Sequence, residues 1–100
     1  MNNPITELSI VRKSVDHVSC KLSGETVMLQ MRSGIYYAAD EIGSRIWSLL
    51  DEPRTVGEIQ KAILAEYCVD PERCGHDLMQ FVEKLESAGL IEVRNEPEAQ

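Results

Sequence analysis

The stretch Gly34-Ile35-Tyr36-Tyr37-Ala38-Ala39-Asp40, followed by Ile46-Trp47-Ser48-Leu49-Leu50, decides the fold. Aromatic and β-branched residues after a glycine read as a strand. Asp40 is a helix N-cap type, and Ile42, Ile46, Leu49 and Leu50 then recur at helical spacing. The chain therefore passes from sheet to helix at Asp40. The strand it leaves reads as the last of a small sheet, with no later strand evident to cover it. An uncovered edge is a row of unpaired backbone N–H and C=O groups, open to another strand. This edge is the expected working part of the protein.

Upstream of Asp40 the pattern has period two. Val18, Cys20 and Leu22 alternate with Ser19 and Lys21, and Val27, Leu29 and Met31 alternate with Met28 and Gln30. Ser23-Gly24-Glu25 and Arg32-Ser33-Gly34 punctuate them as turns. The reading is a three-stranded antiparallel meander over 17–22, 26–31 and 34–39, with Leu8–Arg12 as a short extra strand. Downstream, the reading is three helices. The first spans 41–51 and ends at Glu52-Pro53. Thr55-x-x-Glu58 is a capping box that opens the second, with Ile59, Ile63, Leu64 and Tyr67 as its buried face. Asp70-Pro71 caps the third, which runs to about Ala88 with Leu78, Phe81, Val82 and Leu85 on one face. Gly89 stops it, and Leu90 is placed to fold back on it. The plan is α+β, a β-meander followed by three helices, in outline like a winged helix-turn-helix. The chain reads as a single domain over 1–100, ordered from about 8 to 93, with 1–6 and 94–100 frayed.

Composition narrows the function. At 43% hydrophobic and 27% charged, the chain is an ordinary globular sequence. No apolar run approaches the roughly 20 residues of a membrane span. Met1-Asn2-Asn3-Pro4 does not read as a signal peptide. Three cysteines, Cys20, Cys68 and Cys74, cannot all pair within the chain, which fits a reduced cytoplasmic setting. The net charge of −7 is uneven. Residues 1–39 carry Arg12, Lys13, Lys21 and Arg32 against Glu7, Asp16 and Glu25, a net of +1, whereas residues 40–100 carry a net of −8. The third helix sets Arg73 and Lys84 against Glu72, Asp77, Glu83 and Glu86, the wrong sign for phosphate contacts in a winged-helix DNA binder.

No motif for catalysis stands out. Cys68, Cys74 and His76 have the spacing C-x5-C-x-H, with no paired CxxC and no fourth ligand, so no metal or other cofactor is expected. His17 and Cys20 fall on opposite faces of a strand, against a Cys–His pair. There is no P-loop, dinucleotide fingerprint or serine elbow. Trp47 reads as a core residue.

The ordered pattern resembles a known family. It comprises Gly34-x-Tyr36-Tyr37, then Gly43-x-x-Ile46-Trp47, Thr55-Val56-x-Glu58-Ile59, Glu66-Tyr67-x-Val69, Asp77-x-x-x-Phe81 with Leu85, and Gly89-Leu90-Ile91. Over residues 17–93 this is similar to the PqqD-like family, whose domains are also called RiPP recognition elements, RiPPs being ribosomally made and post-translationally modified peptides. The Tyr-Tyr and Ile-Trp form looks most like the stand-alone recognition proteins of lasso-peptide clusters. The resemblance implies a non-enzyme that binds the leader segment of a precursor peptide. It would present that segment to a separate leader peptidase or other modifying enzyme. A family alternative is a chaperone that delivers a precursor to a radical SAM enzyme. The resemblance also implies where the leader docks: as a strand on 34–39, in a groove closed by the third helix. The leaders of lasso-cluster relatives carry a tyrosine and a proline a few residues apart. Two positions depart from the family pattern. Ala39-Asp40 stands for the usual Leu-Asn, with less apolar volume at 39, and Ile42 stands where a small or polar residue is common.

Strand addition draws affinity from the backbone and specificity from pockets at alternate positions. Tyr36 and Ala38 share one face of the strand; Ile35, Tyr37 and Ala39 share the other. Either tyrosine could be the one in the core. On the third helix Cys74, Leu78, Phe81, Leu85 and Ala88 share an apolar arc, with Asp77 and Lys84 on one rim. The candidate peptide-binding residues are Ile35, Tyr36, Tyr37, Ala38, Cys74, Asp77, Leu78 and Phe81. The same open edge could pair with a second copy, so the chain is expected to be a monomer or a weak edge-strand dimer.

Overall fold

The computed structural model describes residues 4–95. Among them the meander forms as β2 (His17–Leu22), β3 (Glu25–Gln30) and β4 (Tyr36–Ala39), after a first strand β1 (Ile10–Lys13). Ser23 and Gly24, both at positive φ (50° and 86°), make the two-residue turn between β2 and β3. Such a turn matches the right-handed twist of the strands it joins. Val18 faces Leu29 and Cys20 faces Val27 across it, and Leu29 in turn faces Tyr36.

β4 is shorter than its pattern suggests. Gly34, at φ +74°, donates its N–H to the Gln30 carbonyl at 2.8 Å, and Gln30 donates to the Ile35 carbonyl at 2.9 Å. Residues 31–35 are thus a loop, and Ile35 lies before the strand.

The extra strand is β1, and it does not join the meander. It pairs antiparallel with β5 (Arg54–Thr55) and β6 (Ile91–Arg94) in a second sheet of order β5-β1-β6. Neither β5 nor β6 was legible in the sequence. β5 is two residues long, and β6, although Ile91-Glu92-Val93-Arg94 alternates apolar and charged residues, has only four residues and follows directly on a helix stop. The ends are more tied than the pattern implies. Arg94 belongs to β6, Asn95 accepts from the Ser9 hydroxyl and donates to the Pro4 carbonyl, and Thr6 donates to the Ser9 hydroxyl. The rest of the expected frayed ends, 1–3 and 96–100, lie outside the described residues.

The helices start where their caps require. Asp40 accepts from the Gly43 N–H at 2.8 Å and opens α1 (Glu41–Leu49). Thr55 and Glu58 complete their capping box and open α2 (Val56–Glu66). Asp70 accepts from the Arg73 N–H ahead of α3 (Pro71–Ser87). At the end of α3, Gly89 at φ +75° donates to Glu86 and Leu90 donates to Leu85, which turns the chain back and buries Leu90 fully. Leu64 and Tyr67 are only half-buried, so the inner face of α2 is carried by Val56, Ile59 and Ile63.

The meander, the second sheet and the helices meet in one core of Val11, Met28, Ile46, Trp47, Ile59, Ile63, Leu78, Val82, Leu85, Leu90 and Ile91. Trp47 holds α1 to both sheets. Its indole N–H donates to the Ser19 hydroxyl on β2, its ring meets His17 edge-on at 5.1 Å, and the Lys13 ammonium of β1 sits 4.6 Å from the ring.

Gln30 is the second tie. Its side-chain amide donates to the Gly89 carbonyl at 2.8 Å, and its side-chain oxygen accepts from the Arg32 N–H at 2.6 Å. It fastens the loop before β4 to the end of α3. Gln30→Ala, which removes the donor to the part-buried Gly89 carbonyl and the acceptor for the Arg32 N–H, is expected to cost about 1–2 kcal/mol in urea unfolding. The exposed pair Arg45–Glu66 joins α1 to α2, and the guanidinium hydrogen bond holds the Glu66 carboxyl below its ordinary pKa. A carboxylate lowered in the fold adds stability above its unfolded pKa and loses it as pH falls through the folded value. Glu66→Gln should therefore lower the urea midpoint at neutral pH, and the gap to the parent should close on acidification.

Candidate functional site

The meander ends at β4, whose only ladder among the described residues is with β3. The two later strands are both spent on β1, so the edge expected to be open is open. No strand residue from Tyr36 to Ala39 is proline, lysine or a bulge, the usual devices that block edge pairing.

The pleat sorts the two tyrosines. Tyr37 points toward α3, with its ring centroid 5.9 Å from that of Phe81 at a tilt of 52°. Burial, then the nearby Asp40 carboxylate, push its phenol pKa up. Tyr36, 69% exposed, points to the outer face of the sheet with Ala38.

Beside β4 lies a cleft of about 370 Å³ between the three helices. Cys74, Asp77, Leu78 and Phe81 of α3 line it, as do Ile42, Gly43 and Ile46 of α1, and Ile63 of α2. Gly43 is what lets the walls meet. A Cβ there would lie 2.9 Å from the Ala39 Cβ and 3.3 Å from the Phe81 ring. The small pair Ala39–Gly43 thus brings the end of β4, the start of α1 and Phe81 together. Ala39 is buried, so its departure from the family pattern acts on the wall behind the cleft, whereas Ile42 lines the cleft itself. On the far side of the Tyr37–Phe81 contact, Tyr37 borders a shallow trough along the C-terminal half of α3 formed with Gln80, Glu83, Lys84, Ser87 and Ala88. The two hollows make a groove that follows α3 next to the bare edge.

The cleft has an apolar floor, and three carboxylates, Asp40, Asp70 and Asp77, stand around it with one guanidinium, Arg73. Arg73 and Asp77 stand 3.9 Å apart and exposed, so solvent weakens their attraction. The Cys74 thiol is pushed up by burial and by Asp77, which disfavours the thiolate that nucleophilic or metal chemistry needs. Among the described residues no three His, Cys, Asp or Glu side chains are grouped to hold a metal. His17 turns inward to Trp47 and to the Ser14 carbonyl, on the face of β2 opposite Cys20.

Of the eight residues singled out by sequence, four on α3 share the cleft, and Tyr37 adjoins it. Tyr36 and Ala38 face away from α3, and Ile35 sits in the preceding loop. The contributions of Ile42, Ile46, Ile63, Val69 and Arg73 went unread because they depend on how three helices cross. The one local signal was the Asp40-x-x-Gly43 cap, which places both of its residues at the cleft.

Comparison with known proteins agrees with this fold. The family model described as coenzyme PQQ synthesis protein D (PqqD) matches residues 25–91. The fold is similar to that of TbiB1, solved in complex with the TbiA(beta) leader peptide, at 41% identity and a TM-score of 0.75, over 81% of this chain and 94% of that one. It also matches a lasso peptide synthetase B1 complexed with its leader peptide, at 22% identity and a TM-score of 0.70, over 82% of this chain and 96% of that one. No curated protein sequence matches. By the family match over 25–91 and the 41% identity to TbiB1, the chain belongs to the PqqD family.

Proposed function

We propose that this chain binds the leader segment of a ribosomally made precursor peptide, as a recognition protein of the lasso-peptide type, and does no chemistry on it. The observation that carries this is the bare β4 edge lying next to the apolar-floored cleft at α3. The edge supplies sequence-independent hydrogen bonds, and the groove reads alternate side chains. The leader peptide bound by TbiB1, 41% identical, supports the same class of ligand here.

In this reading the leader adds antiparallel to β4. Its inward side chains meet Tyr37 and Phe81 and enter the cleft over Leu78 and Cys74. Asp77 and Asp40 at the mouth favour a basic side chain or a backbone N–H of the peptide. A disordered leader loses chain entropy on docking, so one or two buried anchors carry the affinity. The bound peptide is then offered to a separate leader peptidase or other modifying enzyme. Three free cysteines, two of them exposed, fit work in a reducing cytoplasm. Pairing of β4 with a second copy would occupy the same edge, so self-association and leader binding compete.

Fluorescence anisotropy with a labelled leader peptide is the direct test, with the TbiA(beta) leader as a first probe. Phe81→Ala should weaken binding by about tenfold or more while the variant stays folded by circular dichroism. Asp77→Lys should weaken leaders with a basic residue at the mouth and spare neutral ones. Binding should persist in moderate salt, unlike a phosphate-dominated contact, which falls steeply. A folded protein that binds no leader peptide would overturn the reading.

A further inference from the structure

A strand that pairs antiparallel with β4 has a fixed direction. Its upstream residues lie at the Ala39 end, beside the cleft, and its downstream residues leave past Tyr36. That exit is the loop of residues 31–35. Three large apolar side chains stand exposed there: Met31 at 61%, Ile35 at 53% and, on the turn between β1 and β2, Val15 at 88%. The backbone brings their segments side by side across the end of the sheet. Met31 donates its N–H to the Asp16 carbonyl at 2.9 Å, and the Ile35 carbonyl accepts from the Gln30 N–H at 2.9 Å. The loop that carries them is firmly held. Gly34 donates back to Gln30, the Ile35 N–H donates to the Ser33 hydroxyl at 3.2 Å, Arg32 and Asp16 pair at 3.0 Å, and the Gln30 side chain ties the loop to the Gly89 carbonyl. Scattered apolar residues on a surface are ordinary, whereas neighbours grouped on an ordered loop point to a contact surface.

We infer that Met31 and Ile35, with Val15 beyond them, are a second specificity element: a shelf that holds the leader residues just downstream of the docked strand and prefers an apolar side chain among them. The inference rests on the proposed leader binding at β4. Neighbouring strands are about 4.8 Å apart, so the shelf runs about 10 Å from Ile35 across to Val15. An extended chain covers that span with about three residues at about 3.3 Å each. What the shelf supplies is register. Backbone hydrogen bonds alone let an added strand slip by two residues and keep the same face inward. One apolar anchor in the cleft and a second on the shelf, at opposite ends of β4, hold the peptide in a single register. The region to be processed is then offered at a constant distance from the carrier.

A second copy fits the shelf poorly. Two-fold antiparallel pairing of β4 with β4 would set the shelf of one copy against the end of the other that carries Asp40 and Glu41. Those residues are exposed and acidic and offer no apolar group to Met31 or Ile35. Three side chains are also too few to hold a separate protein alone, against the ~800 Å² per partner of a standard stable interface. The leader continues from the same edge and reaches the shelf without a break in the chain.

The test is fluorescence anisotropy with the labelled TbiA(beta) leader and with copies of it shortened from the C-terminus two residues at a time. Three proteins are compared, each checked for folding by circular dichroism: the parent, the double variant Met31→Ser with Ile35→Ser, and Leu8→Ser, an exposed apolar position beside α2 that serves as control. The parent should lose about fivefold in affinity at the truncation that removes the residues on the shelf. The double variant should bind the full leader about fivefold more weakly than the parent, and the same truncation should then cost it less than about twofold. Leu8→Ser should match the parent at every length. If parent and double variant bind the full leader equally well, the shelf is wrong and leader recognition stands. A double variant weakened equally toward every length, the shortest included, would mean that the loop acts on the β4 edge and not on the downstream peptide, and would overturn the inference. A folded parent that binds no leader removes the peptide-binding reading, and the inference with it.

Discussion

A β-sheet that does not close must end on a strand whose outward N–H and C=O groups lack a partner, and here that strand is β4. The rest of the molecule is arranged around leaving it bare. The chain turns into α1 one residue after β4, so no hairpin can return to cover it. The two strands that come later, β5 and β6, are captured by β1 on the other side of the core. The bare edge is held beside α3 by Gln30, whose side chain joins the β3–β4 loop to the Gly89 turn at the end of that helix. A tie of this kind limits the freedom of the β3–β4 loop relative to the end of α3.

The charge distribution follows the same division of labour. The meander half is near neutral, and its surfaces are apolar or lightly charged. The helical half is strongly acidic, yet among the described residues several of its carboxylates cap helices, pair with Arg12, Lys13, Arg45 or Arg73, or ring the cleft. An acidic mouth over an apolar floor disfavours a phosphate backbone. Burial and Asp77 both favour the neutral thiol of Cys74, so it packs in the cleft as a small apolar residue.

Much of this could be read from local rules. The three caps at Asp40, Thr55 and Asp70, the Gly89 stop and the Ser23-Gly24 turn all stand where their short-range chemistry places them. Each needs only a few neighbouring residues to be satisfied. The second sheet was not legible for the converse reason. β1, β5 and β6 are two to four residues long, too short for a period to stand out even in Ile91-Glu92-Val93-Arg94. They are strands only because distant segments supply their partners. Ile35 was misplaced for a similar reason: its side chain suits a strand, but the loop hydrogen bonds of Gln30 and Gly34 claim its backbone.

By itself, then, the sequence determined the order of the meander strands and the three helices, the residues that start each helix and the α3 stripe that lines the cleft, since period and capping are properties of contiguous residues. The tertiary structure alone decided which tyrosine faces inward. Pleating dictates that Tyr36 and Tyr37 oppose each other, but only the position of α3, with Phe81 against Tyr37, says which side is the groove. It also decided that Ile42, Ile46 and Ile63 share a cleft with Cys74 and Phe81, and that Val18, Leu29 and Tyr36 stand in a row on the outer face. A cleft belongs to the crossing of helices and a row to the register of strands. Both are set by contacts far apart in the chain, which no local pattern encodes.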